Sequence, residues 1–349
     1  MDSETSLLRI LDAAANRAGE GLRVIEDYVR FVLDDRNLTV VAKQLRHALA
    51  AAIGRIPATE RHAARDTLAD VGADVGTASE TNRSDLAHVV AASFQRLEQA
   101  LRSLEEYAKL IDPGIAGQFE SLRYETYTLE RAVNMTAESV RRLADARLYV
   151  VIDGRGSLGE FGMLAESLVA AGVDILQLRD KRLADRDLLE RARRLREITA
   201  GSNVLSIIND RPDIAVLARA HGVHVGQDEL SVKEARSIVG PRLLVGVSTH
   251  SLEQARRAVL DGANYIGVGP TFPSDTKCFE HFTGLELLRD VAAEVCLPAF
   301  AIGGIGLKNV SDVLATGIGR VAISGAVLAS TDPANAARQL RELLHRPES

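Results

Sequence analysis

Cysteine is nearly absent. Only Cys278 and Cys296 occur in 349 residues, too few for a disulfide framework, and no CxxC or HExxH spacing suggests zinc. A reducing compartment fits, and both thiols read as inert. Positive charge is not in excess either: 42 lysines and arginines face 48 acidic residues, and the net charge of -6 argues against a nucleic-acid partner. No apolar run reaches the roughly 18 residues of a membrane span, and the opening MDSETSLLRI lacks the basic-then-apolar pattern of a signal peptide. These absences lead us to expect a cytoplasmic protein with no membrane partner.

What is present is soluble-globular composition, 46% hydrophobic and 26% charged, over a length that suits about two domains. From Leu7 to about Ala144 the apolar residues recur at helical spacing, as in Leu7, Ile10, Leu11 and Ala14, then Leu22, Ile25, Val29 and Val32. Residues 1–144 are therefore expected to form an all-α domain, with its last helix, near Gln118 to Arg142, serving partly as connector. Two stretches within it match. Arg17 to Tyr28 aligns with Arg96 to Tyr107 in Arg, Leu, Arg, aliphatic, Glu, acid and Tyr, which suggests a duplicated helical hairpin. Between them Ala64 to Thr77 breaks the rhythm with glycines and places Arg65, Asp66, Asp70 and Asp74 in a loop, a composition that often holds ligands.

From Arg147 short apolar strands alternate with amphipathic helices, the pattern of successive βα units. The strands read as Leu148–Ile152, Ile175–Leu178, Val204–Ile208, Gly222–Val225, Leu243–Val247, Tyr265–Val268, Ala299–Ile302 and Arg320–Ile323, with helices such as Leu183–Thr199 and Leu252–Leu260 between them. Residues 145–349 are thus expected to be a (β/α)8 TIM barrel, making the whole chain α/β with an all-α helical domain in front. A doubly wound open sheet is the competitor, but Asp153-Gly-Arg-Gly-Ser157 is a poor match to the GxGxxG its first turn would carry.

Active sites of such barrels form at the carboxyl ends of the strands, so the residues that matter are those where each apolar run stops. After the second strand, Gln177-Leu178-Arg179-Asp180-Lys181 turns Gln177, Arg179 and Lys181 to one side, a pair of cations with an amide that suits a polyanion. The third strand ends in Asn209-Asp210 and the fourth in Gly226-Gln227-Asp228, bringing the carboxylates of Asp210 and Asp228 to neighbouring loop mouths, as in sites where two carboxylates and phosphate oxygens hold Mg²⁺. Ser248 and His250 close the fifth strand. A long loop, Gly269 to Lys277, follows the sixth and has the hydroxyls and the lysine of a segment that closes over a substrate. Gly303-Gly304 and Ser324-Gly325, after the seventh and eighth, let backbone N–H groups approach a monophosphate. The histidines His221, His224 and His250 suit structural and catalytic roles equally, and Asp213 suits turn chemistry.

These segments, with Val223-His224-Val225-Gly226-Gln227-Asp228, Gly246 to His250, Gly269 to Lys277 and Ala301 to Ile305 in this order, resemble thiamine-phosphate synthases over about residues 145 to 345. The resemblance implies condensation of 4-amino-5-hydroxymethyl-2-methylpyrimidine diphosphate with hydroxyethylthiazole phosphate, giving thiamine monophosphate and pyrophosphate. It implies that Asp210 and Asp228 hold Mg²⁺ and that Arg179, Lys181 and Lys277 neutralise charge on the leaving group. Gln177, Leu178, Asp180, Asn209 and Ser248 would meet the pyrimidine diphosphate as well. Ser274, Asp275 and Thr276 would contact the thiazole, and Gly304, Ile323 and Ser324 its phosphate. Ser274 stands where the family usually has threonine, and Cys278-Phe-Glu-His-Phe-Thr283 departs from its more polar loop. A thiazole aromatase of the TenI type shares the fold but has no diphosphate to neutralise, and a phosphate-binding barrel without turnover is the remaining rival.

The amino-terminal half resembles the helical domain fused to some of these synthases and associated with phosphorylating hydroxymethylpyrimidine phosphate, on Asn16 to Asp27, Ala64-Arg-Asp-Thr67 and the helix around Arg102. It carries no Walker A motif. That resemblance implies ATP as co-substrate, with Arg17, Arg23, Arg65, Asp66, Asp70, Asp74, Arg83 and Arg102 as candidates for holding phosphates and Mg²⁺. Arg23 with Glu26 or Asp27, and Arg102 with Glu105 or Glu106, are also spaced as helical ion pairs. An oligomerisation or regulatory module stays open for this half, and a homo-oligomer for the chain.

Overall fold

A computed structural model describes residues 3–65, 82–273 and 282–345. The chain divides into two compact units, Met1–Val133 and Asn134–Ser349. The division falls before residue 144, inside the last helix of the first half. The final turns of that helix belong with the barrel: Ser139 accepts a hydrogen bond from Asn264 Nδ2 at 3.0 Å, and Arg142 donates to the Arg242 carbonyl at 2.9 Å. No described helix is long and apolar enough to cross a membrane.

The described part of the first unit is helical: α1 (Ser3–Phe31), α2 (Arg36–Ile53), α3 (Ala58–Ala63), α4 (Leu86–Ala108) and α5 (Pro113–Arg142). Leu11, Ala14, Ala18, Leu22, Ile25 and Val29 form one buried stripe along α1, and Val90, Phe94, Leu97, Leu101 and Leu104 its counterpart along α4. The two helices approach closely at Gly21, where a Cβ would stand 3.1 Å from the Ser93 carbonyl oxygen and 3.3 Å from Leu97 Cβ. The matching sequence segments build matching structures. Glu26 of α1 is buried against Arg46 of α2 at 2.9 Å, and Glu105 of α4 is buried against Arg123 of α5 at 2.8 Å. The Asp35 side chain accepts from Leu38 N at the start of α2, and Asp112 accepts from Gly114 N at the start of α5.

The second unit is a closed barrel of eight parallel strands in sequence order: β1 (Leu148–Ile152), β2 (Ile175–Leu178), β3 (Leu205–Asn209), β4 (Gly222–Val225), β5 (Leu244–Thr249), β6 (Tyr265–Val268), β7 (Ala299–Ile302) and β8 (Val321–Ile323). Strand ends shift by one or two residues from expectation, which brings Ser248 and Thr249 into β5. Alternation sends Tyr149, Val151, Ile175, Ile207, Leu244, Tyr265, Phe300 and Ala322 into the interior, above Leu143 and Ala146. Gly246 is required there: a Cβ on it would stand 2.1 Å from Tyr265 Cζ, so its missing side chain is the space the tyrosine ring fills. The Asp174 carboxylate accepts from Arg147 N and Leu148 N, anchoring the start of β1 to β2.

Candidate active site

A cavity of about 700 Å³ opens at the carboxyl ends of the strands. Gln177, Arg179 and Lys181 all line it, as the alternation of that segment predicts, together with Asn209, Asp228 and Ser248. Leu178 and Asp180 do not. Leu178 is fully buried, and the Asp180 carboxylate accepts from Gly154 N at 3.2 Å and Arg182 N at 2.9 Å, which ties it into its own loop. Its bonds to Arg182 outweigh burial and hold the Asp180 pKa below the ordinary carboxylate value.

Asp210, which is not among the residues lining the cavity, directly follows β3 with φ of 60°, a left-handed conformation that aspartate tolerates better than most residues, and its N–H donates to the His224 carbonyl at 2.8 Å. Lys181 Nζ lies 3.1 Å from Asp210 Oδ2 and 3.0 Å from Glu229 Oε1. Glu229 is the carboxylate sequence reasoning missed, although it directly follows Asp228 and also lines the cavity. Gly226 makes room for it, since a Cβ there would meet Glu229 Oε2 at 2.1 Å. Hydrogen bonds that Lys181 donates to Glu229 and then Asp210 raise its pKa, so the amine stays protonated. Among the described residues no group of three metal-ligating side chains converges. The donors are nevertheless carboxylate oxygens, the hard ligands Mg²⁺ takes when phosphate oxygens and water complete its shell.

At the opposite wall Gly304, Ile323, Ser324 and Gly325 line the cavity. Gly303 and Gly304 have φ of 103° and 63°, and a Cβ on Gly304 would lie 2.4 Å from the Pro273 carbonyl oxygen, so the loop after β7 lies backbone to backbone against the loop after β6. Ser274, Asp275, Thr276 and Lys277 lie outside the described residues, as does Cys278. Asp213 pairs with Arg211 at 2.6 Å, just after β3.

At the floor of the cavity the barrel interior is polar, and Tyr149 and Tyr265, which read as core from sequence, join Gln177, His224 and Ser248. Gln177 Nε2 donates to the Tyr149 hydroxyl at 2.6 Å, the Tyr149 and Tyr265 hydroxyls are 3.2 Å apart, and His224 sits between Tyr265 and Ser248 at 3.3 and 3.0 Å. Burial, with repulsion from Arg179, lowers the His224 pKa to about 4, so the ring is neutral near pH 7. His221 is bound to Ser206 away from the cavity, and His250 Nδ1 lies 2.5 Å from the Gly269 carbonyl oxygen on the cavity wall.

In the first unit the candidates separate. Arg23 pairs with Glu26, and Arg102 with Glu105 and Glu106, within their own helices. Arg17 is exposed, and Arg83 donates to the Asn82 carbonyl. Arg65 instead reaches the buried Asp12 of α1 at 2.5 Å, beside Arg61 at 3.0 Å, and Asn16 donates to the same carboxylate. Burial raises the Asp12 pKa, but the two arginines outweigh it and hold the net value low. Asp12 and Arg61 carried no signal in sequence beyond helical position. Asp66, Asp70 and Asp74 lie outside the described residues.

Comparison with known proteins gives a consistent picture. A family model described as thiamine monophosphate synthase matches residues 148–327, and the ThiD2 family matches residues 9–132. A thiamine-phosphate synthase of Rhodopirellula baltica is 48% identical, covering 98% of this chain and 93% of its own, and one of Gloeobacter violaceus is 41% identical, covering 98% of each. Among solved structures, thiamine phosphate pyrophosphorylase from Pyrococcus furiosus is 32% identical with a TM-score of 0.51, covering 57% of this chain and 95% of that one.

Proposed function

The chain belongs to the thiamine-phosphate synthase family, and from that premise we propose that its barrel joins 4-amino-5-hydroxymethyl-2-methylpyrimidine diphosphate to hydroxyethylthiazole phosphate, releasing pyrophosphate. The observation that carries this reading is the charge arrangement at the strand ends, with Arg179 and Lys181 facing Asp228 and Glu229 in one cavity and Asp210 within reach of Lys181. The thiazole nitrogen lone pair forms the new C–N bond to the pyrimidine methylene as the C–O bond to the diphosphate breaks. The electron pair of that bond leaves with pyrophosphate. No proton has to move, so the site needs stabilisers of negative charge and no general base. Arg179, Lys181 and Lys277 take that role, while Gln177, Asn209 and Ser248 orient the pyrimidine. Ser274, Asp275 and Thr276 meet the thiazole, and Gly304, Ile323 and Ser324 its phosphate. Mg²⁺ bound through Asp210 and Asp228 would neutralise the diphosphate. A thiazole aromatase gives Lys181 and its carboxylate partners nothing to do.

For the first unit the reading is transfer of the terminal phosphoryl group of ATP to hydroxymethylpyrimidine phosphate, giving ADP and the diphosphate the barrel consumes. Its support is the ThiD2 match and the arginine pair at Asp12, next in sequence to Asp66, Asp70 and Asp74. Arg23 and Arg102 serve their helices in this account. The test follows ADP formation with the monophosphate: Arg65→Ala abolishes it and leaves condensation of supplied diphosphate at the wild-type rate. A wild-type chain that forms no ADP makes the unit an oligomerisation or regulatory module.

A further inference from the structure

The hydrogen bonds beneath the cavity form one unbroken chain from Gln177 through Tyr149, Tyr265 and His224 to Ser248. With the Gln177 amide turned so that Nε2 meets Tyr149, counting protons gives the chain one direction. Gln177 Nε2 donates to the Tyr149 hydroxyl, so that phenol's own proton goes on to Tyr265 and the proton of Tyr265 goes to His224 Nδ1. With Nδ1 accepting from Tyr265, the ring N–H is on Nε2 and points at Ser248 Oγ. Ser248 accepts there, which leaves its hydroxyl proton for the cavity it lines. At the other end one of the two Nε2 hydrogens of Gln177 is committed to Tyr149, so the amide cannot turn over without breaking that bond, and Oε1 is the acceptor it offers.

We propose that Tyr149, Tyr265 and His224 are positioning residues that set the hydrogen-bond polarity of the pyrimidine subsite, holding Gln177 as acceptor and Ser248 as donor so that an aminopyrimidine is taken and its oxo counterpart rejected. This rests on the reading of the barrel as the site of an aminopyrimidine diphosphate. An oxo group presents an acceptor where the amino group presents a donor. For Gln177 to rotate and meet it, every bond of the chain must reverse and His224 must move its proton from Nε2 to Nδ1. The phenol rings are held as well, each edge-to-face on Phe300 with centroids 5.4 and 5.7 Å away.

Tyr265→Phe keeps the ring and cuts the chain at its centre, freeing the Tyr149 hydroxyl to donate back to Gln177. The readout is the inhibition constant of the 4-oxo pyrimidine diphosphate divided by the KM of the amino substrate. In the variant this ratio drops by about tenfold, the scale of one misdirected buried hydrogen bond, with the KM for thiazole phosphate unchanged. A ratio within twofold of wild type overturns the proposal. Should the variant not fold, the ¹⁵N shifts of His224 in the wild-type chain decide: the Nε2–H tautomer at pH 7 supports the chain, and an Nδ1–H tautomer overturns it. Wild-type protein that makes no thiamine phosphate removes the functional reading and this inference together, whereas normal turnover with an unchanged ratio removes the inference alone.

Discussion

Lys181 Nζ stands 3.1 Å from Asp210 Oδ2, so a cation borne by the β2 loop is held at the carboxylate that ends β3. Glu229 completes the bridge from the β4 side. The arrangement holds positive charge at the cavity proposed for the diphosphate, and it links three successive strand ends.

Lys181 is more than half exposed, so its ion pairs contribute little to folding. Lys181→Ala is expected to lower kcat for thiamine phosphate formation by about 10²-fold or more. Unfolding free energy should change by less than about 1 kcal/mol. Steady-state kinetics and a urea titration on the same preparation check both.

Asp210→Ala and Lys277→Ala are each expected to lose most turnover, by about 10²- to 10³-fold, with thiazole phosphate affinity nearly retained. Titration calorimetry with the thiazole phosphate separates the two effects. Wild-type rates in either variant contradict the roles given to these residues. Asp228→Asn should raise the Mg²⁺ concentration needed for half-maximal rate.

The two units should respond to pH in opposite senses. In the barrel His221 and His224 both have pKa values lowered to about 4, by burial first and by nearby arginines second. The unfolded chain takes up their protons from about pH 6.5 downward, so barrel stability falls as pH drops from about 7 and levels off near 4. In the first unit burial, and then Glu130, raise the Glu98 pKa to about 7. There the folded state holds the extra proton, and stability is lost as pH rises from about 4.5 through 7. Glu98→Gln should stabilise that unit on the order of 1 kcal/mol above pH 7 after allowance for its partial exposure. Thermal unfolding between pH 4 and 8 reads both slopes.

Arg123→Ala would take from the buried Glu105 its buried partner but leave it the half-exposed Arg102 at 2.7 Å, so it should destabilise the first unit by less than the roughly 3–5 kcal/mol of a wholly unpaired buried charge. Arg46→Ala, at the matching position of the other hairpin, should cost less because Arg46 is 34% exposed against 10% for Arg123. Denaturant midpoints of the two variants make the comparison directly.

Much of this was legible in the chain. Ile175–Leu178, Gly222–Val225 and Tyr265–Val268 read as strands to the residue because short aliphatic runs end at glycine or polar residues. The facing of Gln177, Arg179 and Lys181 followed from alternation alone. The same rule hid Tyr149 and Tyr265, which occupy inward positions where an aromatic ring reads as core, and left His224 undecided between a structural and a catalytic role. Only barrel closure brings β1, β4 and β6 within hydrogen-bond reach across the interior. The visible signal was Gly246, a residue of no bulk in a strand, opposite Tyr265 in register. The pairing of Arg65 with Asp12 spans 53 positions and depends on how α1 and α3 pack, which periodicity does not determine.

The central claim is tested most directly by supplying the full chain with the pyrimidine diphosphate, the thiazole phosphate and Mg²⁺ and measuring thiamine monophosphate and pyrophosphate together. The two should appear one for one, and only when both substrates are present. Pyrophosphate released without thiamine monophosphate, or no turnover of either substrate, would contradict it.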